Sequence, residues 1–292
     1  MLALAEEAPS LYRSFEREVK GKRRLLVEST GRLKTMQRRI LDNVLARLAP
    51  FPMSFGAVKG RTIKDNARIH ARSTFIAKLD IKDFYPSIHS MRVYKFFCRD
   101  QGCSPDVARL LTTLTTKDHS LPLGTSTSPA LADQIVRPVD VRINAMATKA
   151  GMKYTRYVDD MTLSGSFPLV RLTDTAVKVL RQVGFKVKKS KLVLYGPGDT
   201  SERIITGVAI RDGRMSAPLN YAASLEKELR EAIRQSKSAN VKGDFLPREH
   251  YRGKIAYIGW LDPECGERLL RLYRRVKWRH LEWSTAQLIQ SE

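Results

Sequence analysis

An α+β fold is predicted for this chain by three features of its sequence. Its strand patterns are few and short, its helical patterns are long, and the two interleave irregularly instead of repeating as βαβ units. With 42% hydrophobic residues in 292, the chain can bury a sizeable core in one large or two modest domains. A small disulfide scaffold is excluded.

From Lys34 to Ala49, the apolar residues Met36, Ile40, Leu41, Val44, Leu45 and Leu48 recur at helical spacing, with Arg38, Arg39 and Arg47 between them. Thr74 to Ile81 is apolar and β-rich and ends in an acidic cluster before Tyr85-Pro86-Ser87, so it predicts a buried strand presenting Asp80 at its end. Helical patterns follow around Pro105 to Thr116 and from Pro129 to Ala147, the second kinked at Pro138. Met152 to Val158 and Met161 to Ser164 read as two short strands around an Asp159-Asp160 turn. A helix from Leu172 to Val183 leads into a Lys-rich strand, Phe185 to Tyr195, and one further strand, Ile204 to Ile210, ends at the Asp212-Gly213 turn signal. After Pro218 the pattern is helical again, broken by the polar stretch Ser236 to Pro247, and a basic helix runs from Arg268 to Trp283.

Lys and Arg number 52 against 30 Asp and Glu, a formal net charge of +22. So large an excess on a chain this apolar points to a polyanionic partner, with nucleic acid the obvious candidate. Cys98, Cys103 and Cys265 have neither the paired spacing of a zinc site nor the even count of a disulfide framework, and read as reduced thiols. The N-terminus has early acidic residues and no apolar run reaches membrane-spanning length, so no membrane association and a cytoplasmic location are expected.

Asp159 and Asp160 at the tip of a hairpin can aim at the same point as a carboxylate from a neighbouring strand end, which Asp80 is placed to supply. Carboxylates so close repel one another and are stable together with divalent cations, which suit hard oxygen ligands. Two Mg²⁺ ions there could activate a terminal hydroxyl and stabilise a leaving pyrophosphate.

The residues around these three carboxylates resemble a known family. Ala77-Lys78-Leu79-Asp80-Ile81-Lys82-Asp83-Phe84-Tyr85-Pro86-Ser87-Ile88 looks like the reverse-transcriptase motif carrying the first catalytic Asp. Leu121-Pro122-Leu123-Gly124-Thr125-Ser126-Thr127-Ser128-Pro129 resembles the next, and Tyr157-Val158-Asp159-Asp160 the third, in matching order and intervals. Lys22-Arg23-Arg24 resembles the basic fingers strand, and Gly184-Phe185 with Lys188 and Lys191 a later palm motif, although Lys186 and Lys189 crowd that assignment. Asn66-Ala67-Arg68-Ile69-His70 is similar to the Asn-Ala-x-x-His motif of retron reverse transcriptases, and Ile205-Thr206-Gly207 to their Val-Thr-Gly motif. Arg252-Gly253-Lys254 through Gly259-Trp260-Leu261-Asp262-Pro263-Glu264 resembles the thumb of bacterial reverse transcriptases.

The resemblance implies a right-hand polymerase with fingers at 1–75, a palm at 76–215 and a helical thumb at 216–292. It implies catalysis by Asp80, Asp159 and Asp160, with metal held at these and Ile81. Nucleotide contacts fall on Arg24, Tyr85, Gly124 and Lys191. Arg24 suits bidentate phosphate bonding, and Tyr85 stands where the family excludes a ribonucleotide's 2′-hydroxyl, making the product DNA. RNA contacts fall on Asn66, His70, Thr206, Gly207, Arg271 and Arg275, although Asn66 and His70 also share a helix face, as a capping pair would. The implied partners are dNTPs, a structured non-coding RNA serving as template and primer through a 2′-hydroxyl, the RNA-DNA hybrid msDNA, and an effector protein, all in phage defence.

Two departures stand out. Leu123 replaces a usual Gln and cannot hydrogen-bond the template, and Ser29 replaces a frequent Pro. An intron-derived or non-retron defence enzyme would be expected to carry an added domain, and an RNA polymerase a small or polar residue at position 85. A catalytically idle RNA-binding scaffold would not need all three carboxylates.

Overall fold

The computed structural model describes residues 2–19, 22–238 and 241–283. Its contacts divide the chain into two compact units, one of residues 1–17 and 23–199 and the other of residues 18–22 and 200–292.

The first unit opens with α1 (Leu2–Glu7), followed by the paired strands β1 (Tyr12–Val19) and β2 (Lys22–Ser29). The amphipathic segment forms α2 (Gly31–Asn43), closing at a 3-10 turn over Leu45–Arg47, and its apolar side buries Leu33 and Ile40. Next comes α3 (Ile63–His70), whose start is written in the sequence as Thr62-x-x-Asp65. Thr62 accepts from the Asp65 amide at 3.1 Å and Asp65 accepts from the Thr62 amide at 3.1 Å, the two halves of a capping box.

The expected buried strand is β3 (Phe75–Asp80), with Ile76, Ala77 and Leu79 in the core. After α4 (Ser90–Lys95), α5 (Pro105–Thr115) and α6 (Ser128–Lys149), the chain enters the hairpin β4 (Lys153–Tyr157) and β5 (Asp160–Gly165). Then come α7 (Val170–Gln182) and β6 (Val193–Tyr195). These strands form one antiparallel sheet in the order β4-β5-β3-β6. Its apolar residues join the large core with α6 packed on β4. Pro138 lies inside α6, which runs through it as one helix.

The Lys-rich segment is not the single strand expected. Lys189–Lys191 form a 3-10 turn and only Val193–Tyr195 pair with β3, because the chain bends to let the Lys188 amide donate to the Asp80 carbonyl at 2.9 Å.

In the second unit, the strand expected over Ile204 to Ile210 is instead a hairpin, β7 (Arg203–Ile205) and β8 (Val208–Arg211). Thr206 and Gly207 both take positive φ, 46° and 88°, which makes a two-residue turn whose twist matches the flanking strands. Asp212-Gly213 makes the next such turn, into β9 (Arg214–Ser216). These three strands pair only with one another among the described residues.

Helix α8 (Leu219–Gln235) follows, then β10 (Val241–Phe245), a strand within the segment expected to be only a polar break; residues 239 and 240 of that segment lie outside the described residues. Next are α9 (Arg248–Leu261) and α10 (Pro263–Arg275), the latter capped by Asp262, which accepts from the Cys265 amide at 3.0 Å. The basic helix therefore starts earlier than expected and ends at Arg275, where Val276 turns extended. Its continuation is a 3-10 turn and β11 (Leu281–Trp283), parallel to β10. The three cysteines are free, and no helix among the described residues is long and apolar enough to cross a membrane.

Candidate active site

Antiparallel register brings the first two carboxylates together. Asp80, the last residue of β3, stands directly opposite Asp160, the first of β5. Asp159 joins them through the backbone, its carbonyl accepting from the Ile81 amide at 3.0 Å. The Ile81 side chain is a hydrocarbon buried in the core, so only the backbone carbonyl of this residue could serve as a ligand. Asp80 is buried and Asp159 and Asp160 are half-buried.

Burial, reinforced by Asp159, pushes the Asp160 carboxyl up to about 6, and burial with Asp80 raises Asp159. Lys191, delivered by the 3-10 turn, pairs with the Asp80 carboxylate. Among the described residues no three His, Cys, Asp or Glu side chains already converge as a metal-binding group. The donor set nevertheless fits a hard divalent cation, since its three carboxylates supply oxygen ligands at adjoining strand ends and two of them are crowded by burial and like charge.

Arg24 projects from β2 in an exposed position, close enough to Asp159 to oppose the rise in its pKa. Tyr85 is half-buried near Asp159, and burial, assisted by that charge, pushes its hydroxyl up to about 12. Its ring meets Phe84 edge-on at 5.3 Å. The Leu123 carbonyl accepts from the Val27 amide at 2.8 Å, which ties this loop to β2, the strand of Arg24. At Gly124, φ is +122° and an added Cβ would meet the Val27 carbonyl oxygen at 2.8 Å. Gly124→Ala should therefore push this loop off β2, lowering stability by about 1–3 kcal/mol along with primer extension. A melting curve and an extension rate equal to the parent's would contradict this.

Asn66 and His70 do not stand where direct RNA contact was expected. Both are buried, at 1% and 0% exposure. His70 Nδ1 lies 2.7 Å from Ser164 Oγ and Nε2 lies 2.7 Å from Thr155 Oγ1, so the imidazole fastens α3 to β5 and β4, the hairpin carrying Asp159 and Asp160. Burial lowers the His70 pKa to about 3. The folded state therefore holds the ring neutral, and stability is lost as pH falls below about 6.5, where the unfolded chain takes up a proton. Between pH 7.5 and 5 the stability advantage over His70→Gln should shrink by about 2 kcal/mol. Parallel denaturation midpoints would contradict this. Alanine at both positions should slow synthesis on a structured RNA and on a generic annealed primer equally.

Thr206 and Gly207 form the tip of the β7–β8 hairpin, and the Gly207 carbonyl accepts from the Tyr257 hydroxyl at 3.2 Å. Arg271 and Arg275 are exposed on α10. A fully buried Arg156, which sequence reading passed over, sits on β4 of the hairpin that carries Asp159 and Asp160; its only signal was a charged residue in an otherwise strand-like run.

Residues 16–210 match the family described as reverse transcriptase (RNA-dependent DNA polymerase). The chain is 29% identical over 274 residues to the retron Ec86 reverse transcriptase of Escherichia coli, covering 91% of this chain and 81% of that one. With the retron Mx65 reverse transcriptase of Myxococcus xanthus it shares 32% identity over 273 residues, 85% of this chain and 60% of that one. Among solved structures, telomerase from Candida albicans in complex with a TWJ fragment of telomeric RNA matches with a TM-score of 0.56 and 11% identity, covering 90% of this chain and 55% of that chain. The fold is thus that of a right-hand polymerase of the α+β class. The chain belongs to the reverse transcriptase family, RNA-directed DNA polymerases that use divalent metal ions, and it is of the retron type.

Proposed function

We propose that this chain copies a structured non-coding RNA into DNA by a two-metal mechanism with Mg²⁺, priming from a 2′-hydroxyl within that RNA. The product is the branched hybrid msDNA, made in the cytoplasm for phage defence with an effector protein. The observation that carries the catalytic part is the register of Asp80 on Asp160, with Asp159 tied to the Ile81 amide. The retron relatives support the choice of RNA and product.

Asp80, Asp159 and Asp160, with the Ile81 carbonyl, hold the two ions, whose chemistry when bound is to acidify the primer hydroxyl and neutralise the leaving pyrophosphate. Arg24 grips the incoming triphosphate through paired N–H donors. Lys191, held at the site by Asp80, offers its ammonium to the same phosphates. Tyr85 closes the space beside the sugar, and Gly124, whose missing side chain lets its loop lie against β2, offers its backbone to the nucleotide. The Thr206-Gly207 turn, Arg271 and Arg275 contact the RNA, the arginines through phosphates that carry no sequence information. Asn66 and His70 contribute by supporting the hairpin. The fingers, palm and thumb are assigned to 1–75, 76–215 and 216–292.

Extension of a DNA primer on an RNA template with dNTPs and Mg²⁺ tests the activity. Template-dependent DNA synthesis is expected, and a folded protein that binds RNA without extending any primer would overturn it.

A further inference from the structure

Arg156, on β4, is the bulkiest of the fully buried side chains, at 1% exposure. Each of its three guanidinium nitrogens has an acceptor. Nε lies 2.9 and 3.0 Å from the two Asp140 oxygens, and Nη2 lies 2.8 Å from Asp140 Oδ2 and 2.9 Å from Asp133 Oδ1. Both aspartates come from one face of α6, two turns apart. Tyr154 donates its hydroxyl to Asp140 at 2.7 Å, and Ser54 donates to Asp133. Burial raises the Asp140 carboxyl and works against charge on Arg156, but the pairing outweighs burial at the guanidinium, which is held above its ordinary value. We read both partners as charged.

The remaining terminal nitrogen, Nη1, points toward the active site. It donates to the Val158 carbonyl at 3.1 Å. Val158 is the turn residue immediately before Asp159, and at φ +57° it is a β-branched residue in left-handed conformation, held there by its surroundings. The opposite side of the turn is closed by Gly56, where an added Cβ would approach the Val158 nitrogen to 2.3 Å. The strand itself is fixed from the same side, the Arg156 amide donating to the Met53 carbonyl at 2.9 Å and its carbonyl accepting from the Phe55 amide at 2.8 Å. A buried ion cluster is in general no more stabilising than apolar packing of the same volume. What apolar packing could not supply here is a donor on the Val158 carbonyl.

We propose that Arg156, clamped by Asp140 and Asp133, is a positioning residue for nucleotide transfer: it fixes the Val158 peptide and so sets where Asp159 and Asp160 stand relative to Asp80. This rests on the reading that these three carboxylates hold the ions. The network touches neither substrate nor the reacting atoms, and its effect passes through the backbone of the turn.

The test is Arg156→Lys, which keeps the charge but loses the planar fork that spans Asp140, Asp133 and Val158 at once. Three quantities are read: the melting temperature, Mn²⁺ binding followed by its paramagnetic resonance spectrum without substrate, and the split of kcat from KM for dNTP in RNA-templated primer extension. A folded Arg156→Lys should bind Mn²⁺ more weakly with an altered spectrum. Its kcat should fall about 100-fold, the scale on which a misplacement near 1 Å acts, while KM stays within about threefold. A folded variant with parental kcat and an unchanged Mn²⁺ spectrum would overturn the proposal. If Arg156→Lys does not fold, Tyr154→Phe decides, since it removes one hydroxyl from Asp140 and leaves every charge in place; a kcat loss of about threefold or more at constant KM supports positioning, and parental kcat overturns it. The carboxylate reading fails separately, if Asp159→Asn leaves Mn²⁺ binding and extension intact in the otherwise unaltered chain.

Discussion

Changing Asp159 and Asp160 together to Asn is expected to abolish DNA synthesis while leaving RNA binding intact. On the proposed mechanism the two functions draw on different side chains: binding on Lys and Arg contacts to phosphate, of which a chain at +22 has many, and transfer on Asp160, opposite Asp80 in the β3–β5 register, with Asp159 beside it. Asn preserves size and removes two negative charges, so RNA affinity should stay level or rise slightly. Rate should fall by about 10³-fold or more, the scale on which electrostatic stabilisation of a transition state acts. A second consequence follows from crowding. Burial and mutual repulsion oppose charge at both residues, so in metal-free buffer the double variant should be more stable than the parent by about 1 kcal/mol. Single-turnover extension, an RNA titration at fixed salt and a melting curve together separate these effects. A folded double variant extending primers near the parental rate would remove these residues from the mechanism.

The second large effect is expected at Tyr85. Its ring lies half-buried at the end of the β3 motif, packed against Phe84 and near Asp159, where it can border the sugar of an incoming nucleotide. Tyr85→Val removes that ring and its hydroxyl without adding charge. Discrimination against ribonucleotides should drop by about 10²-fold or more, since the exclusion is steric and a hydrogen-bonding 2′-hydroxyl is then no longer repelled. The ratio of deoxyribonucleotide to ribonucleotide incorporation measures this directly. An active variant with an unchanged ratio would assign sugar selection to another residue.

Much of the local structure around the three carboxylates was legible in sequence because it rests on short-range rules. The apolar run ending at Asp80 has to be a buried strand, and the Asp-Asp pair between two β-rich runs marks a turn, although the two turn residues are Val158 and Asp159 and Asp160 already pairs as the first residue of β5. What the sequence could not state is register, the pairing of Asp80 with Asp160, because that depends on strands far apart in the chain. The Thr206-Gly207 hairpin was hidden for a different reason. Threonine is a strand-former that seldom adopts positive φ, so Ile204 to Ile210 reads as one strand until the turn is seen. His70 and Arg156 were hidden by polarity. Residues of these types usually face water, and burial becomes affordable only with partners contributed by other elements, Thr155 and Ser164 for one, Asp133 and Asp140 for the other. Lys191 could not be told from its neighbouring lysines until the 3-10 turn placed it on Asp80.

The most direct test of the retron reading is the nucleic acid that the protein makes and keeps. Expressed with its native flanking DNA and purified without nuclease, the protein should carry an RNA joined to a DNA strand through a 2′-hydroxyl. Sequencing before and after debranching should show that DNA to be complementary to part of the same RNA. The Asp159→Asn, Asp160→Asn double variant should carry the RNA alone. Copurification of only unbranched nucleic acid with the active enzyme would contradict the account.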